Sequence, residues 1–201
     1  MAETRSYNSP LREEKARETR EAILRALYRL MSAATMQDDI SMEAIATEAG
    51  IQRRTIFRHF PTKDDLLTAF WPWLNELIGA SIAPETAADI VTGPRDAFPR
   101  FDAHEAAIRA SLHSPTGRAM RAGMVPGRRL RFAGALAPIL STLAPAEARR
   151  VEALAHLLYS ASAWEALRDY GGLTGAQAGE TASWALDTIL SAVASGSLPR
   201  T

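Results

Sequence analysis

The stretch Ile45-Ala46-Thr47-Glu48-Ala49-Gly50-Ile51-Gln52-Arg53-Arg54-Thr55-Ile56-Phe57-Arg58-His59-Phe60-Pro61-Thr62-Lys63-Asp64-Asp65-Leu66-Leu67 decides how the chain is read. Ser41, just upstream, is placed to cap a short helix that carries Ile45 and Ala46 on its buried side. Gly50 stops that helix, because glycine takes the left-handed conformation at little steric cost. A second short helix is expected over about Gln52 to Phe57, ended by the step to Pro61. Thr62 with Asp65 three residues on has the form of a capping box for a longer helix. Two short helices joined by a tight glycine turn have the proportions of a helix-turn-helix.

That unit suits double-stranded DNA. A short second helix can enter a major groove roughly 12 Å wide with its N-terminal residues facing the base edges. Here those residues are Gln52, Arg53, Arg54 and Thr55. Arginine forks match guanine, glutamine can match adenine, and threonine can serve base or phosphate. His59 and Lys63 flank the groove, with Lys63 in the first turn of the next helix, where its ammonium and free backbone N–H groups can meet one phosphate.

The same stretch resembles the signature of the TetR family of bacterial regulators, in its spacing, its glycine, its aromatics and its Pro-x-Lys step. The resemblance begins near Arg20-Glu-Ala-Ile-Leu. A weaker likeness to the C-terminal domain of one branch of the family lies at Trp164-Glu-Ala-Leu-Arg-Asp-Tyr-Gly-Gly-Leu-Thr and Trp184-Ala-Leu-Asp. It implies that Ser41 caps the first helix of the motif and touches a phosphate, that Arg53, Arg54 and Thr55 face the groove, and that His59 and Lys63 hold the backbone. Phe57 stands where the family often has tyrosine, so a phenolic phosphate contact is lost. Gln52 stands where serine or threonine is frequent, which alters base preference. By position Phe57 belongs to the interface; as an aromatic it reads, with Phe60, as core of the small unit.

Outward from this segment the chain is all-α. Alanine-rich, period-3.6 segments run almost end to end and strand signals are nearly missing. A first helix is expected over Arg12 to Ala34. The helix begun at Thr62 contains Pro72, so a kink is expected near Trp71. Pro84 to Pro99, with Pro84, Gly93, Pro94 and Pro99, reads as the most flexible stretch. A helix from the Asp102/Glu105 signal to Leu112 is followed by two more, near 118–124 and 127–142, split at Pro126-Gly127. One long helix is expected from Pro145 to Tyr170, and a last one from Thr174, boxed with Gln177, to Gly196. The boundaries that follow are an N-terminal arm over 1–11, a DNA-binding domain over 12–67 and a larger ligand-binding and dimerisation domain over 68–201.

Charge is balanced overall, 23 basic against 23 acidic residues, but not locally. From Ala49 to Lys63 there are four basic residues plus His59 and no acid. From Ala106 to Ala146 there is again no acid, but Arg109, Arg118, Arg121, Arg128, Arg129 and Arg131. The second run reads first as a solvated or internally paired face. The sharper alternatives are an anionic effector or a link to Glu13, Glu14, Glu18 and Glu21 of the first helix.

Cysteine is absent, which excludes disulfides and thiolate chemistry. No apolar run reaches the roughly 20 residues of a membrane span, and the polar N-terminus does not read as a signal peptide, so a cytoplasmic protein without membrane contact is expected. The histidines at 104, 113 and 156 share no i, i+4 spacing, so neither a metal nor a cofactor is expected. Apolar lining for an unknown small-molecule effector is sought among Trp71, Trp73, Phe101, His104, Ile108, Met120, Met124, Phe132 and Leu136, although each alone reads more readily as core.

One short helix covers too few base pairs for useful specificity, so a homodimer on a palindromic operator is expected. The last two helices are its natural surface, through Val151, Leu154, Leu158, Ala161, Ala182, Ala185, Ile189 and Val193. The family resemblance implies a repressor released when a ligand moves the fourth helix. Two alternatives stay open: an activator, or an α-helical effector-binding protein or enzyme with an incidental helix-turn-helix. No nucleophile elbow, phosphate loop or paired-carboxylate motif supports an enzyme.

Overall fold

Helix α1 (Pro10–Ala33) turns its apolar stripe of Ile23, Leu24, Leu27 and Met31 inward, and Ile23 and Leu27 are fully buried. The computed structural model describes residues 10–33, 39–79 and 83–197. Most of the expected N-terminal arm, and Ala34, lie outside them. Around α1 fold α2 (Met42–Glu48), α3 (Arg53–His59) and α4 (Lys63–Ile78). The starts of α2 and α4 are chemically marked. The Ser41 hydroxyl accepts from the Ala44 N–H at 3.1 Å, and Thr62 and Asp65 close a reciprocal capping box. Gly50 sits at φ +67°, a left-handed geometry that costs other residues roughly 1–2 kcal/mol.

Among the described residues six further helices build the body: α5 (Ala87–Ala103), α6 (Glu105–His113), α7 (Pro115–Leu140), α8 (Pro145–Leu158), α9 (Ala161–Asp169) and α10 (Gly175–Ala194). The described residues contain helices and no strand. A helix-turn-helix unit thus precedes a larger helical body. The two share a core: Ile23, Ile45, Ile56 and Phe70 belong to the same buried cluster as Phe98, Ile108, Met120 and Trp164. A second cluster, around Ile90, Phe132, Leu136, Val151 and Leu190, fills the far end of the body.

Three expectations fail in the body, each for a tertiary reason. Residues 84–99 are mostly not loop: α5 runs through both Pro94 and Pro99. A Thr86/Asp89 capping box starts it, and Ile90 and Phe98 are fully buried. It packs along α10, where glycines permit close approach. A Cβ on Gly179 would stand 2.6 Å from the Pro94 carbonyl oxygen, and one on Gly175 2.6 Å from that of Phe98. Likewise α7 is one helix through Pro126 rather than two. Its inner face carries Met120 at one end and Phe132, Leu136 and Leu140 at the other, so buried contacts on both sides hold it together.

Conversely, the helix expected from Pro145 to Tyr170 is two. The α8 segment ends at Tyr159, and Ser160 caps α9 by accepting from Ala163 N at 3.3 Å. Arg128 of α7 occupies the break, its guanidinium donating to the carbonyls of His156 (3.1 Å) and Tyr159 (3.5 Å). A cation at the free carbonyls of a helix C-terminus is favourable on dipole grounds as well.

Candidate nucleic-acid interface and the adjoining cavity

Helix α3 is held by its buried side and offers the rest to solvent. Ile56 is fully buried and Phe60 nearly so, whereas Gln52, Arg53, Arg54 and Arg58 are exposed. Thr55 is half-buried. Gln52 is the N-cap residue in extended geometry, and its side chain makes no cap bond, which leaves the amide free. Phe57 is not core: it is 37% exposed beside the Arg53 guanidinium, 5.6 Å from its ring. Of the two aromatics Phe60 fills the core: it stands just past the helix in extended geometry, whereas Phe57 sits within α3 on its exposed side.

Contacts that the linear sequence does not announce surround this surface. Arg20 of α1 lies over the Phe60 ring at 4.1 Å and donates to the His59 carbonyl at 3.3 Å, pinning the end of α3. Arg29 reaches Glu48 of α2 at 2.5 Å. Arg53 meets Glu43 at 3.4 Å, both well exposed, so the pair contributes little and leaves the arginine available. His59 is half-buried with its Nε2 enclosed and unpartnered. Burial first, then the charges of Arg58 and Arg20, push its pKa below the ordinary histidine value.

Lys63 stands at the first turn of α4, as expected, but it is engaged. Its ammonium donates to Asp39 at 2.6 Å, and the same carboxylate oxygen accepts from the Thr116 hydroxyl at 2.9 Å. The Ile40 N–H donates to Thr116 in turn, at 3.3 Å. Lys63 and Thr116 hold the Asp39 carboxyl below its usual range. Through Thr116 the N-terminus of α7 is therefore tied to the segment that leads into the helix-turn-helix. Asp39 and Thr116 had no signal in the sequence: a contact across 77 positions leaves no local pattern.

The second basic run behaves differently. Arg109 is bound by Glu105 (2.8 Å), Glu165 (2.9 Å) and Asp169 (2.6 Å); Asp169 first, and Glu105 with it, raise its pKa above the ordinary value against the opposing effect of burial. Its partners are not the glutamates of α1. Arg118 and Arg121 donate to the carbonyls of His113 and Leu112 at the end of α6, the latter at 2.7 Å.

Behind α4 the body holds a cavity of about 230 Å³, walled by Trp71, Leu112, Met124, Val125 and Ala161, with Arg121, Arg128, Arg131, His156, Ser160 and Ser162 as its polar members. A recess of about 50 Å³ extends it past Trp71 to Leu74, Asn75, Phe101 and Ile108. Of the residues expected to line an effector site, Trp71, Met124, Phe101 and Ile108 come together here. The others do not. Trp73 donates to Glu21 at 2.8 Å and His104 bonds the Tyr28 hydroxyl at 2.7 Å, both at the seam between α1 and the body. Met120 is core and borders a separate groove with Leu67, Phe132 stacks on His156 at 4.1 Å, and Leu136 is fully buried. Helical periodicity marked these residues as inward-facing but could not say toward what.

On the last helices, Val151, Ala182 and Val193 are buried within the protomer and cannot form an external surface. Leu158, Ala161, Ala185 and Ile189 are half-buried. The exposed apolar groups are Leu154, Leu157 and Trp184, the last 68% exposed.

Residues 23–70, Ile23 to Phe70, match the family described as bacterial regulatory proteins, tetR family. Among solved structures, a transcriptional regulator from Rhodococcus sp. Rha1 superposes with a TM-score of 0.53 at 17% identity, covering 90% of this chain and 99% of that one, which establishes a shared fold. No curated protein sequence gave a match.

Proposed function

We propose that this chain, by its N-terminal domain a member of the tetR family of bacterial regulatory proteins, is a ligand-released transcriptional repressor that binds a palindromic operator as a homodimer. The observation that carries the reading is the α2–Gly50–α3 unit, with Gln52, Arg53 and Arg54 exposed together at the N-terminal end of α3. This is where a recognition helix presents its base-reading groups. Ser41 and Lys63 flank it and serve the phosphates. The body is read as the sensor and α8 with α10 as the dimer surface, through Leu154, Leu157 and Trp184 together with the partly exposed Leu158, Ala161, Ala185 and Ile189. The reading assigns the chain no catalytic role.

The route from sensor to DNA is supported by two connections. Helix α4 carries Trp71 at the cavity and Lys63 at the interface on one continuous helix. Helix α7 carries Met124 and Arg121 at the cavity and Thr116 in the latch with Asp39 and Lys63. A ligand that displaces either helix shifts the recognition helices relative to each other. It also changes whether Lys63 is free to meet a phosphate.

The test is equilibrium binding to the DNA that flanks the gene, over a salt series. Expected are salt-dependent, sequence-specific binding and, for Lys63→Ala, a general weakening that lowers the salt slope by about one. Affinity no greater than for random duplex would remove the proposal.

A further inference from the structure

We infer that the cavity behind α4 takes a small amphipathic organic anion, a carboxylate on an aromatic ring or short alkyl chain, held by Arg121 and Arg128. The inference deepens the regulator reading and rests on it for its biological role, but its chemistry stands on the cavity alone.

The apolar part of the wall is made by Trp71, Leu112, Met124 and Val125. Against them stand Arg121, Arg128 and Arg131, and no carboxylate is among the lining residues. Unpaired charge within a protein is costly, and the usual remedy is an opposite charge. Among the described residues neither Arg121 nor Arg128 forms an ion pair: they donate to neutral groups, the Leu112 carbonyl for one and the His156 ring and carbonyl with the Tyr159 carbonyl for the other. The Arg121 Nε–H is buried with no acceptor at all. The nearby carboxylates are committed elsewhere: Glu165 to Arg109 and His113, and Glu152 to His156 at 3.6 Å.

Arg128 also lies where three cavities meet. It borders the 230 Å³ chamber, the recess toward Leu74 and Ile78, and an outer, wider one with Arg129, Arg149 and Glu152. Carbonyls at the α8 break hold the guanidinium in place, so it is preorganised rather than free to swing. A carboxylate there would find the Nη1 group of a fixed Arg128 guanidinium and the free Arg121 Nε–H, and its body would lie on Trp71, one residue before Pro72 of α4. The main chamber has room for roughly seven or eight water volumes, which limits the body to one ring or a short chain.

The experiment is calorimetric titration of the full-length protein with phenylacetate and octanoate, against phenylacetamide and octanamide. At least one acid should bind about tenfold or more tightly than its amide, as expected for charge-assisted hydrogen bonds. Arg121→Gln should abolish that preference and Arg128→Lys should retain most of it, with ligand-free melting curves reporting on the fold. Amides that bind as well as acids, no binding by either at millimolar concentration, or an acid preference unchanged in Arg121→Gln would each overturn the inference. Operator binding is measured in the same samples. Release by acid and amide alike would sink the anion and leave the regulator reading. An acid preference in a protein that never binds operator would do the reverse.

Discussion

The chain has two arginine-rich regions, and they use the same side chain in opposite ways. On α3, Arg53, Arg54 and Arg58 stand in solvent, supported from below by Ile56 and Phe60, and their forks are free for an external partner. Along α7, Arg118, Arg121 and Arg128 lie against the ends of neighbouring helices and donate to the carbonyls of His113, Leu112, His156 and Tyr159. A run of basic residues therefore says little until its donors are counted. The first region is an exposed surface, and the second borders a cavity.

The largest expected effect tests the first half of that contrast. Arg54→Ala should leave stability within about 0.5 kcal/mol, as for an exposed side chain without structural partners. Specific operator binding should fall by about 1–3 kcal/mol per half-site, with random DNA much less affected. Wild-type operator affinity in this variant would mean that α3 meets DNA through another face. Arg128→Met tests the other half. It should lower stability by about 2 kcal/mol, read as a fall in melting temperature, because the carbonyls at the α8 break lose a charged donor. Operator affinity of the folded fraction should stay near wild type. If Arg128→Met instead melts at or above the wild-type temperature, the desolvation cost of the buried guanidinium outweighs its bonds.

The contrast also separates what could be read from the sequence and what could not. Ser41, Gly50 and the Thr62/Asp65 box act on their immediate neighbours, so the helix-turn-helix was legible residue by residue. The body was not, because its local signals are overridden. An interior proline costs about 3 kcal/mol or more, yet α5 continues through Pro94 and Pro99, because Gly175 and Gly179 let α10 pack tightly against it. The break after α8 has no glycine or proline to mark it. Arg128 arrives there from 31 positions away in sequence. The cavity was half legible for the same reason. Trp71 and Met124 showed as apolar positions, but Arg121 and Arg128 were hidden in a run that looked like a solvated face.

Pro72 offers a smaller effect at the junction of the two regions. Helix α4 is unbroken across it, and the buried Asn75 donates its side-chain amide to the Trp71 carbonyl at 2.7 Å. Pro72→Ala restores a backbone donor and should raise the melting temperature modestly. If the proline serves as a hinge between cavity and interface, the operator affinity measured with ligand should change more than that measured without. Equal affinities in both conditions, with only the melting temperature moved, would make it a packing feature.

The smallest effect compares the two regions through one histidine in each. His59 at the end of α3 and His156 at the α8 break both have pKa values pushed below the ordinary 6.5, by burial first and then by neighbouring arginines. The unfolded chain then binds more protons than the folded one just below pH 6.5. The corresponding stability is present above that pH and is lost as pH falls through 6.5 toward the folded values. The lowered carboxyls of Asp39, Glu105 and Asp169 act only further down, below about pH 4. Melting temperature should therefore decline from pH 7 to 5.5, and replacing both histidines with glutamine should flatten that decline. DNA separates the two. A phosphate against His59 would favour its protonated form, so operator binding should take up a proton and tighten relative to His59→Gln as pH falls from 7 to 6. His156, remote from the interface, should leave that difference unchanged. An operator affinity with the same pH dependence in wild type and His59→Gln would show that this histidine only packs the end of α3 and meets no phosphate.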